Sequence, residues 1–260
     1  MKLAPMERGK TLAQAVKGVT TRPKGASVAI LMVHGFAASS DELATLGQYL
    51  SVKGYASFAI QLAGHGTTPE DLKESTWQDW YASALSGLNE IRSWKPEKII
   101  VVGLSMGGLL SILLATEEEG IDGLVLIGPA LRIPGLLFRL VPILKYLIKW
   151  RDVDIEAAQK VYDVKRFKLS REPVSAYHEL NKLQKVARDR MKHIKTPTLI
   201  IQGTDDKTID PRSGEIAYNG ILSEKKELHM IEGAEHVITC HPTRHKVYPL
   251  ILKFIEDSIS

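Results

Sequence analysis

The chain of 260 residues contains a single cysteine, Cys240, so it cannot form an internal disulfide bond. One unpaired thiol is typical of proteins that fold in a reducing compartment. The first 18 residues, MKLAPMERGKTLAQAVKG, lack the continuous apolar segment of a secretory signal. From these two absences we expect a cytoplasmic location.

Long apolar runs and clustered charge are also missing. The most apolar stretch, LRIPGLLFRLVPILKYLIKW at 131–150, is interrupted by four basic residues and two prolines, so it falls short of a membrane-spanning helix. Its interrupting residues are Arg132, Arg139, Lys145, Lys149, Pro134 and Pro142.

The 34 basic and 30 acidic residues are spread along the chain and give a net charge of only +4. A nucleic-acid partner is therefore not expected, because such proteins carry basic clusters.

Short apolar runs separated by helical segments dominate what is present. Apolar residues make up 44% of the chain and charged residues 25%, which is enough to build a large core. The strand candidates are residues 27–35, 55–61, 98–103, 122–128, 196–203 and 226–233. Several are apolar throughout, as expected for strands that are covered on both faces. This pattern predicts an α/β fold with a mostly parallel central sheet flanked by helices.

Helix-start signals follow two of these strands. Ser39 and Glu42 have the spacing of a capping box, and Gly54 follows the apolar positions of that predicted helix. Thr76 and Asp79 have the same spacing before a second amphipathic helix. Both signals support alternating strands and helices.

The alternation stops between Gly128 and Thr196. Nearly seventy residues here have helical character and no strand signal, which is too long for a connecting loop. We predict an inserted helical subdomain over 130–190, with 1–129 and 191–260 forming the core.

The apolar stretch in this insertion has two interpretations. It could be a helix buried on several faces, with its basic residues in solvent. Alternatively, it could line an acyl tunnel or rest on a lipid surface, since a basic edge beside an apolar face suits an anionic interface. Phe138 and Trp150 fit either interpretation. Both interpretations favour an apolar ester over a polar substrate.

A glycine-flanked serine follows the third predicted strand. The segment Gly103-Leu104-Ser105-Met106-Gly107 has the pattern G-x-S-x-G, with a strand before it and a helix directly after it. In this context the serine occupies a tight, strained turn that exposes its Oγ beside a helix N-terminus. A glycine-rich turn that only packs a helix on a strand is the alternative. We predict that Ser105 is a nucleophile.

A serine nucleophile needs a base and a carboxylate that orients the base. In chain order this type of sheet supplies nucleophile, acid and base, which favours His236 in the loop after the last predicted strand. The acid is expected in LIIQGTDDKTIDP, which offers Asp205, Asp206 and Asp210; spacing does not separate the first two. Surface or packing positions are expected for His178, His193, His229, His241 and His245.

Two backbone N–H groups are expected to stabilise a developing oxyanion. One belongs to Met106, the residue after the nucleophile, and the other to Phe36 in VHGFAASS. We expect Gly35 to let the backbone of that second loop approach the substrate; an ordinary loop glycine is the alternative.

With these residues the chain resembles the α/β-hydrolase superfamily, and within it the carboxylesterase and monoacylglycerol lipase branch known from bacteria. The matching pieces are HGFAASSDEL, GHGTTPEDL with WQDW, GLSMGG, QGTDDKTIDP and EHVIT, which occur in the family's order. The resemblance implies Ser105 as nucleophile, His236 as base and Asp206 rather than Asp205 as the acid. It also implies Phe36 and Met106 as oxyanion donors, and the insertion as a cap over the acyl pocket.

We therefore expect a serine carboxylic ester hydrolase that acts on short- to medium-chain acyl esters through an acyl-enzyme. No cofactor is implied, and no metal either, since His241 and His245 have no third ligand at a suitable spacing. A monoacylglycerol lipase is the main alternative. A thioesterase, a peptidase, a C–C bond hydrolase or a ligand receptor on the same fold is more remote.

Overall fold

The strands lie within residues 17–259, the part of the chain that the computed structural model describes. They are β1 (Gly18–Thr21), β2 (Val28–Val33), β3 (Ala56–Ile60), β4 (Lys98–Leu104), β5 (Gly123–Ile127), β6 (Trp150–Asp152), β7 (Arg171–Pro173), β8 (Thr198–Gly203) and β9 (Lys226–Ile231). Seven of them form one sheet in the order β1-β3-β2-β4-β5-β8-β9, and β6 pairs with β7 separately.

The central sheet is parallel except at one edge. Strands β3, β2, β4, β5, β8 and β9 pair in parallel, and β1 pairs antiparallel with β3. All six predicted strands are present, and the predicted α/β fold is confirmed. The prediction missed β1, because its sequence GVTT is short and largely exposed and has no apolar run.

Helices connect the strands and cover the sheet. They are α1 (Ala44–Val52), α2 (Pro69–Glu74), α3 (Trp77–Ser93), α4 (Met106–Glu117), α5 (Leu136–Leu144), α6 (Ile155–Gln159), α7 (Val174–Arg190), α8 (Ser213–Gly220) and α9 (Arg244–Ile259). Thr76 and Asp79 open α3 as predicted, and they form a capping box in which each side chain binds the other residue's backbone N–H.

Both faces of the sheet are buried, which explains the continuous apolar strands. On β2, Leu31 belongs to the same buried cluster as Trp80 of α3. Its neighbour Ile30 points to the opposite face and packs in the cluster that includes Ile251 of α9. A side-chain period of two residues places alternate positions on opposite faces, so both must be apolar here.

The predicted capping box at Ser39 and Glu42 is wrong. A 3-10 turn at Ser40–Leu43 precedes α1, and the Ser39 hydroxyl donates to Asp41 instead of capping the helix. The carboxylate of Glu42 points away from the helix start and accepts a hydrogen bond from the backbone N–H of Gly35. A tertiary contact thus overrides the local signal.

The segment between β5 and β8 carries α5, β6, α6, β7 and α7. The expectation that it has no strands is wrong, because Trp150–Asp152 and Arg171–Pro173 pair antiparallel. Helix α7 packs against α4, the helix that follows Ser105, and against α5. Within residues 17–259 no helix is both long enough and apolar enough to cross a bilayer.

Candidate active site

Ser105 lies in the turn between β4 and α4 with a strained backbone. Its φ is 56° and its ψ is −114°, a conformation that side chains rarely adopt. The flanking glycines allow this turn because nothing larger fits. A Cβ on Gly103 would lie 2.4 Å from the carbonyl oxygen of Gly107, and a Cβ on Gly107 would lie 2.0 Å from that of Val33.

The structure brings Ser105, His236 and Asp206 together from three different loops. The Oγ of Ser105 lies 2.8 Å from Nε2 of His236, which follows β9. Nδ1 of His236 lies 2.6 Å from Oδ2 of Asp206, which follows β8. All three residues are buried: 8% of the surface of Ser105 is exposed, and 6% of that of His236 and of Asp206.

The Asp206 carboxylate is held on both oxygens. Oδ1 accepts hydrogen bonds of 2.9 Å from the backbone N–H groups of Thr208 and Ile209, and Oδ2 also accepts one from Nε2 of Gln202. Burial alone would raise the pKa of Asp206. The attraction and hydrogen bond of His236, with the two backbone N–H groups, outweigh burial and lower this pKa below its ordinary value. Asp206 is therefore a charged acceptor facing the imidazole.

The two neighbouring aspartates that the spacing left open lie elsewhere. Asp205 is exposed and its carboxylate accepts a hydrogen bond from the Thr204 hydroxyl. Asp210 forms ion pairs with Arg132 and Arg212. Neither carboxylate contacts His236.

The predicted oxyanion donors flank the serine. Gly35 lies in the loop after β2 and is close to the serine, since a Cβ on Gly35 would lie 3.5 Å from the Cβ of Ser105. The N–H of Phe36 makes no hydrogen bond to another residue of the described chain. Met106 is the first residue of α4, and an N–H at this position has no acceptor within its own helix. Both groups are therefore available to a ligand.

Three other histidines contact groups outside the hydrogen-bonded chain of Ser105, His236 and Asp206. His65 is buried, its Nδ1 lies 2.8 Å from the Ala63 carbonyl oxygen, and its ring packs on Phe36 and Trp80. His241 contacts the Thr243 hydroxyl. Nδ1 of His245 faces the carbonyl oxygen of Pro242. No cluster of three His, Cys, Asp or Glu side chains suited to a metal ion occurs in the part of the chain that the structure covers.

Sequence reasoning missed two aromatic contacts from the segment between β5 and β8. The ring of Tyr177 on α7 packs against the ring of Phe36 at 4.9 Å between centroids. The Tyr162 hydroxyl accepts a hydrogen bond from the backbone N–H of Val237, next to His236. No local pattern marks either tyrosine, because each is defined by a partner more than seventy residues away in sequence.

This geometry has a definite chemical capacity. A neutral imidazole 2.8 Å from a serine hydroxyl can accept its proton. The carboxylate behind the ring fixes the tautomer with the proton on Nδ1 and stabilises the imidazolium that forms. Free N–H groups at a helix start and in the facing loop are suited to an anionic oxygen.

The fold and this buried serine, histidine and aspartate define a member of the α/β-hydrolase superfamily. The chain belongs to the Hydrolase_4 family, described as Serine aminopeptidase, S33, which matches residues 24–242.

Similar proteins indicate to which branch of the superfamily the chain belongs. A carboxylesterase of Bacillus subtilis (strain 168) is 29% identical over 245 residues, covering 93% of this chain and 98% of that protein. A thermostable monoacylglycerol lipase of Bacillus sp. (strain H-257) is 30% identical over 215 residues, covering 82% and 84%. A structure from work on the metagenome-derived lipolytic enzymes LipS and LipT superposes with a TM-score of 0.84 at 27% identity, covering 93% and 98%. The chain thus lies in the carboxylesterase and monoacylglycerol lipase branch.

Proposed function

We propose that this protein is a serine carboxylic ester hydrolase in which Ser105 is the nucleophile, His236 the base and Asp206 the residue that orients the base. The observation that carries the proposal is the continuous hydrogen-bonded chain from Ser105 Oγ through His236 to Asp206. The relatives named carboxylesterase and monoacylglycerol lipase support esters as the substrate class.

In the first half-reaction, Oγ of Ser105 attacks the ester carbonyl carbon while its proton moves to Nε2 of His236. The N–H groups of Phe36 and Met106 stabilise the oxyanion that forms. When this intermediate collapses, the carbon–oxygen bond to the alcohol breaks and the imidazolium gives its proton to the leaving oxygen. An acyl group then remains on Ser105.

In the second half-reaction, His236 accepts a proton from water, which attacks the acyl carbonyl carbon. A second oxyanion forms at the same N–H groups. Its collapse breaks the bond to Oγ, the proton on Nε2 returns to Oγ, and the carboxylic acid leaves. The cycle needs no organic cofactor and no metal.

A comparison of the wild type with Ser105→Ala tests the nucleophile. We expect kcat on nitrophenyl butyrate to fall by on the order of 10⁶ in the variant, with unchanged circular dichroism, and a fluorophosphonate probe to label only the wild type. Ser93→Ala changes an exposed serine on α3 and serves as the matched control. Wild-type turnover or labelling in Ser105→Ala would refute the assignment.

For the substrate, we propose short- to medium-chain acyl esters, with monoacylglycerols as the second candidate. The relative named a monoacylglycerol lipase favours that second candidate. A series of nitrophenyl esters from acetyl to palmitoyl, with long-chain monoglycerides measured beside them, separates the two. A kcat/KM that peaks at butyryl to octanoyl supports the first, and a higher value on monoglycerides supports the second.

We further propose that residues 130–190 form a cap over the acyl pocket. The contact of Tyr177 with Phe36 supports this, because it places α7 beside the proposed oxyanion donor. A cytoplasmic location also stays a proposal, and it rests on the single cysteine, Cys240.

The same segment presents an apolar surface with basic edges, and we propose that it contacts lipid weakly. Five residues between 140 and 148 are exposed to between 38% and 77% of their surface: Leu140, Ile143, Tyr146, Leu147 and Ile148. The sequence from 123 to 151 contains no acidic residue. An apolar patch beside lysine and arginine suits the surface of an anionic bilayer.

Sedimentation with vesicles tests this contact. We expect binding to phosphatidylglycerol vesicles that weakens with salt and with Leu147→Ser, and little binding to phosphatidylcholine. Leu222→Ser is the matched control, since Leu222 is comparably exposed (66%) but lies between α8 and β9. Equal binding by all three proteins would exclude the patch as the contact.

A further inference from the structure

The peptide group between Gly35 and Phe36 is fixed by a buried histidine. Nε2 of His34 faces the backbone N–H of Leu62 at 3.2 Å, so this nitrogen is the acceptor. Nδ1 therefore carries the proton and donates to the carbonyl oxygen of Gly35 at 2.8 Å. In a trans peptide the N–H points opposite to the C=O. The orientation of the Phe36 N–H, the proposed oxyanion donor, is thereby set.

The preceding peptide group is fixed by a buried carboxylate. The N–H of Gly35 donates to Oε2 of Glu42 at 3.2 Å, and only 2% of Glu42 is exposed. The other oxygen, Oε1, pairs with Nη1 of Arg166 at 3.1 Å, and the Arg166 side chain is only 8% exposed. Burial raises the pKa of Glu42, and the charge of Arg166 opposes that rise. The guanidinium thus favours the charged form of the carboxylate.

Arg166 comes from the segment between β5 and β8, not from the sheet. Its guanidinium lies over the ring of Tyr162 at 4.7 Å, and the Tyr162 hydroxyl accepts the hydrogen bond from Val237 beside His236. Next to Arg166, the backbone N–H of Phe167 donates to Asp41 at 2.6 Å. Residues 154–169 therefore contact the 3-10 turn at Ser40–Leu43, whose Glu42 holds the N–H of Gly35, and they also contact the loop with the proposed base.

We propose that Glu42 and Arg166 are positioning residues for the oxyanion donor, so that the loop at Gly35 and Phe36 has its active geometry only while residues 154–169 are docked. This inference rests on the proposed ester hydrolysis. It adds that the inserted segment helps to stabilise the transition state and does not only select the substrate. The ion pair provides this coupling because both charges are buried, and removing either one would leave the other buried without a partner.

The test separates positioning from general stability. In Arg166→Met and Glu42→Gln we expect kcat on nitrophenyl butyrate to fall about 10- to 100-fold, less than the loss of a whole oxyanion donor, with KM changed less than about threefold. The affinity for a trifluoromethyl ketone, which forms a tetrahedral adduct with an oxyanion, should fall by the same factor as kcat/KM. Arg166→Lys should recover part of the activity, because it keeps the charge.

Two measurements complete the design. Arg244→Ala breaks the ion pair between Arg244 and Asp163, which does not contact Glu42 or Gly35, and should leave kcat unchanged because the contacts of Arg166 and Phe167 still dock the segment. The double variant Glu42→Gln with Arg166→Met should lose little more activity than either single variant, because the two residues act as one unit.

A variant with a lower melting temperature but with wild-type kcat and wild-type affinity for the ketone would overturn the proposal, since that result marks a purely structural ion pair. If Arg166→Met does not fold, the same criterion applies to Arg166→Lys and Glu42→Gln. Failure of the underlying ester hydrolysis is distinguishable, because then the wild type itself would neither hydrolyse esters nor require Ser105.

Discussion

Nδ1 of His236 lies 2.6 Å from Oδ2 of Asp206, while the adjacent carboxylate of Asp205 points to solvent. The difference arises in the loop after β8, where the backbone N–H groups of Thr208 and Ile209 turn Asp206 inwards. Adjacent aspartates of identical chemistry thus have different environments.

Because of these environments, the same substitution is expected to lower kcat strongly at Asp206 and hardly at all at Asp205. Asp206→Asn should lower kcat by on the order of 10³ to 10⁴, because an amide cannot hold the productive tautomer or stabilise an imidazolium. Asp205→Asn should change kcat less than about twofold, since its carboxylate is solvated. Steady-state hydrolysis of nitrophenyl butyrate by both purified variants measures this. The reverse order would show that Asp205 is the orienting acid.

The glycines after Ser105 provide a matched pair for stability. A Cβ on Gly107 would lie 2.0 Å from the Val33 carbonyl oxygen, which is backbone and cannot move aside. A Cβ on Gly108 would lie 3.2 Å from the Cβ of Pro129. Gly107→Ala should therefore cost more than about 3 kcal/mol and Gly108→Ala less than about 1.5 kcal/mol. Urea unfolding measures both, and equal costs would contradict the close approach of Gly107 to β2.

Two buried histidines predict a loss of stability in mild acid. Burial lowers the pKa of His34 to about 4. The pKa of His65 is lowered to about 3, first by burial and then by the neighbouring His34. In the unfolded chain both titrate at about pH 6.5. Below that pH the unfolded state binds protons that the folded state does not, so the free energy of unfolding falls as the pH falls. Each histidine contributes about 1.4 kcal/mol per pH unit between about 6.5 and its folded pKa.

Urea unfolding at a series of pH values between about 7 and about 5 checks this dependence. His65→Gln should reduce the slope by about 1.4 kcal/mol per pH unit, and His193→Gln, at an exposed histidine, should leave it unchanged. If the wild type is equally stable across this range, the two imidazoles are not buried as neutral groups.

The single thiol should be unreactive in the folded protein. Cys240 is fully buried, and burial raises its pKa to about 12, so the reactive thiolate is scarce at neutral pH. Native protein should not react with Ellman's reagent over an hour, whereas protein in urea should release one equivalent. Rapid reaction of the native protein would show that the loop before α9 opens readily.

The sequence predicted the parts of this protein that depend on neighbours along the chain. The six strands of the parallel sheet follow from apolar runs, and the turn at Ser105 follows from its glycines. The chain order of nucleophile, acid and base limits the acid to Asp205, Asp206 or Asp210, and the resemblance to the family, not the spacing, favours Asp206. The strands and the turn are local features, because a strand or a tight turn is specified within about ten residues. The boundaries of the cap stay a prediction.

Only the tertiary structure decided features that depend on distant partners. Glu42 has the spacing of a helix cap, but its carboxylate pairs with Arg166, 124 residues later in the chain. Strand β1 exists because the edge of β3 offers it hydrogen bonds. Tyr162 and Tyr177 reach the site only through packing of their segment on the core. Burial and charge pairing determine these positions, and neither can be derived from a local pattern because both depend on which residues folding brings together.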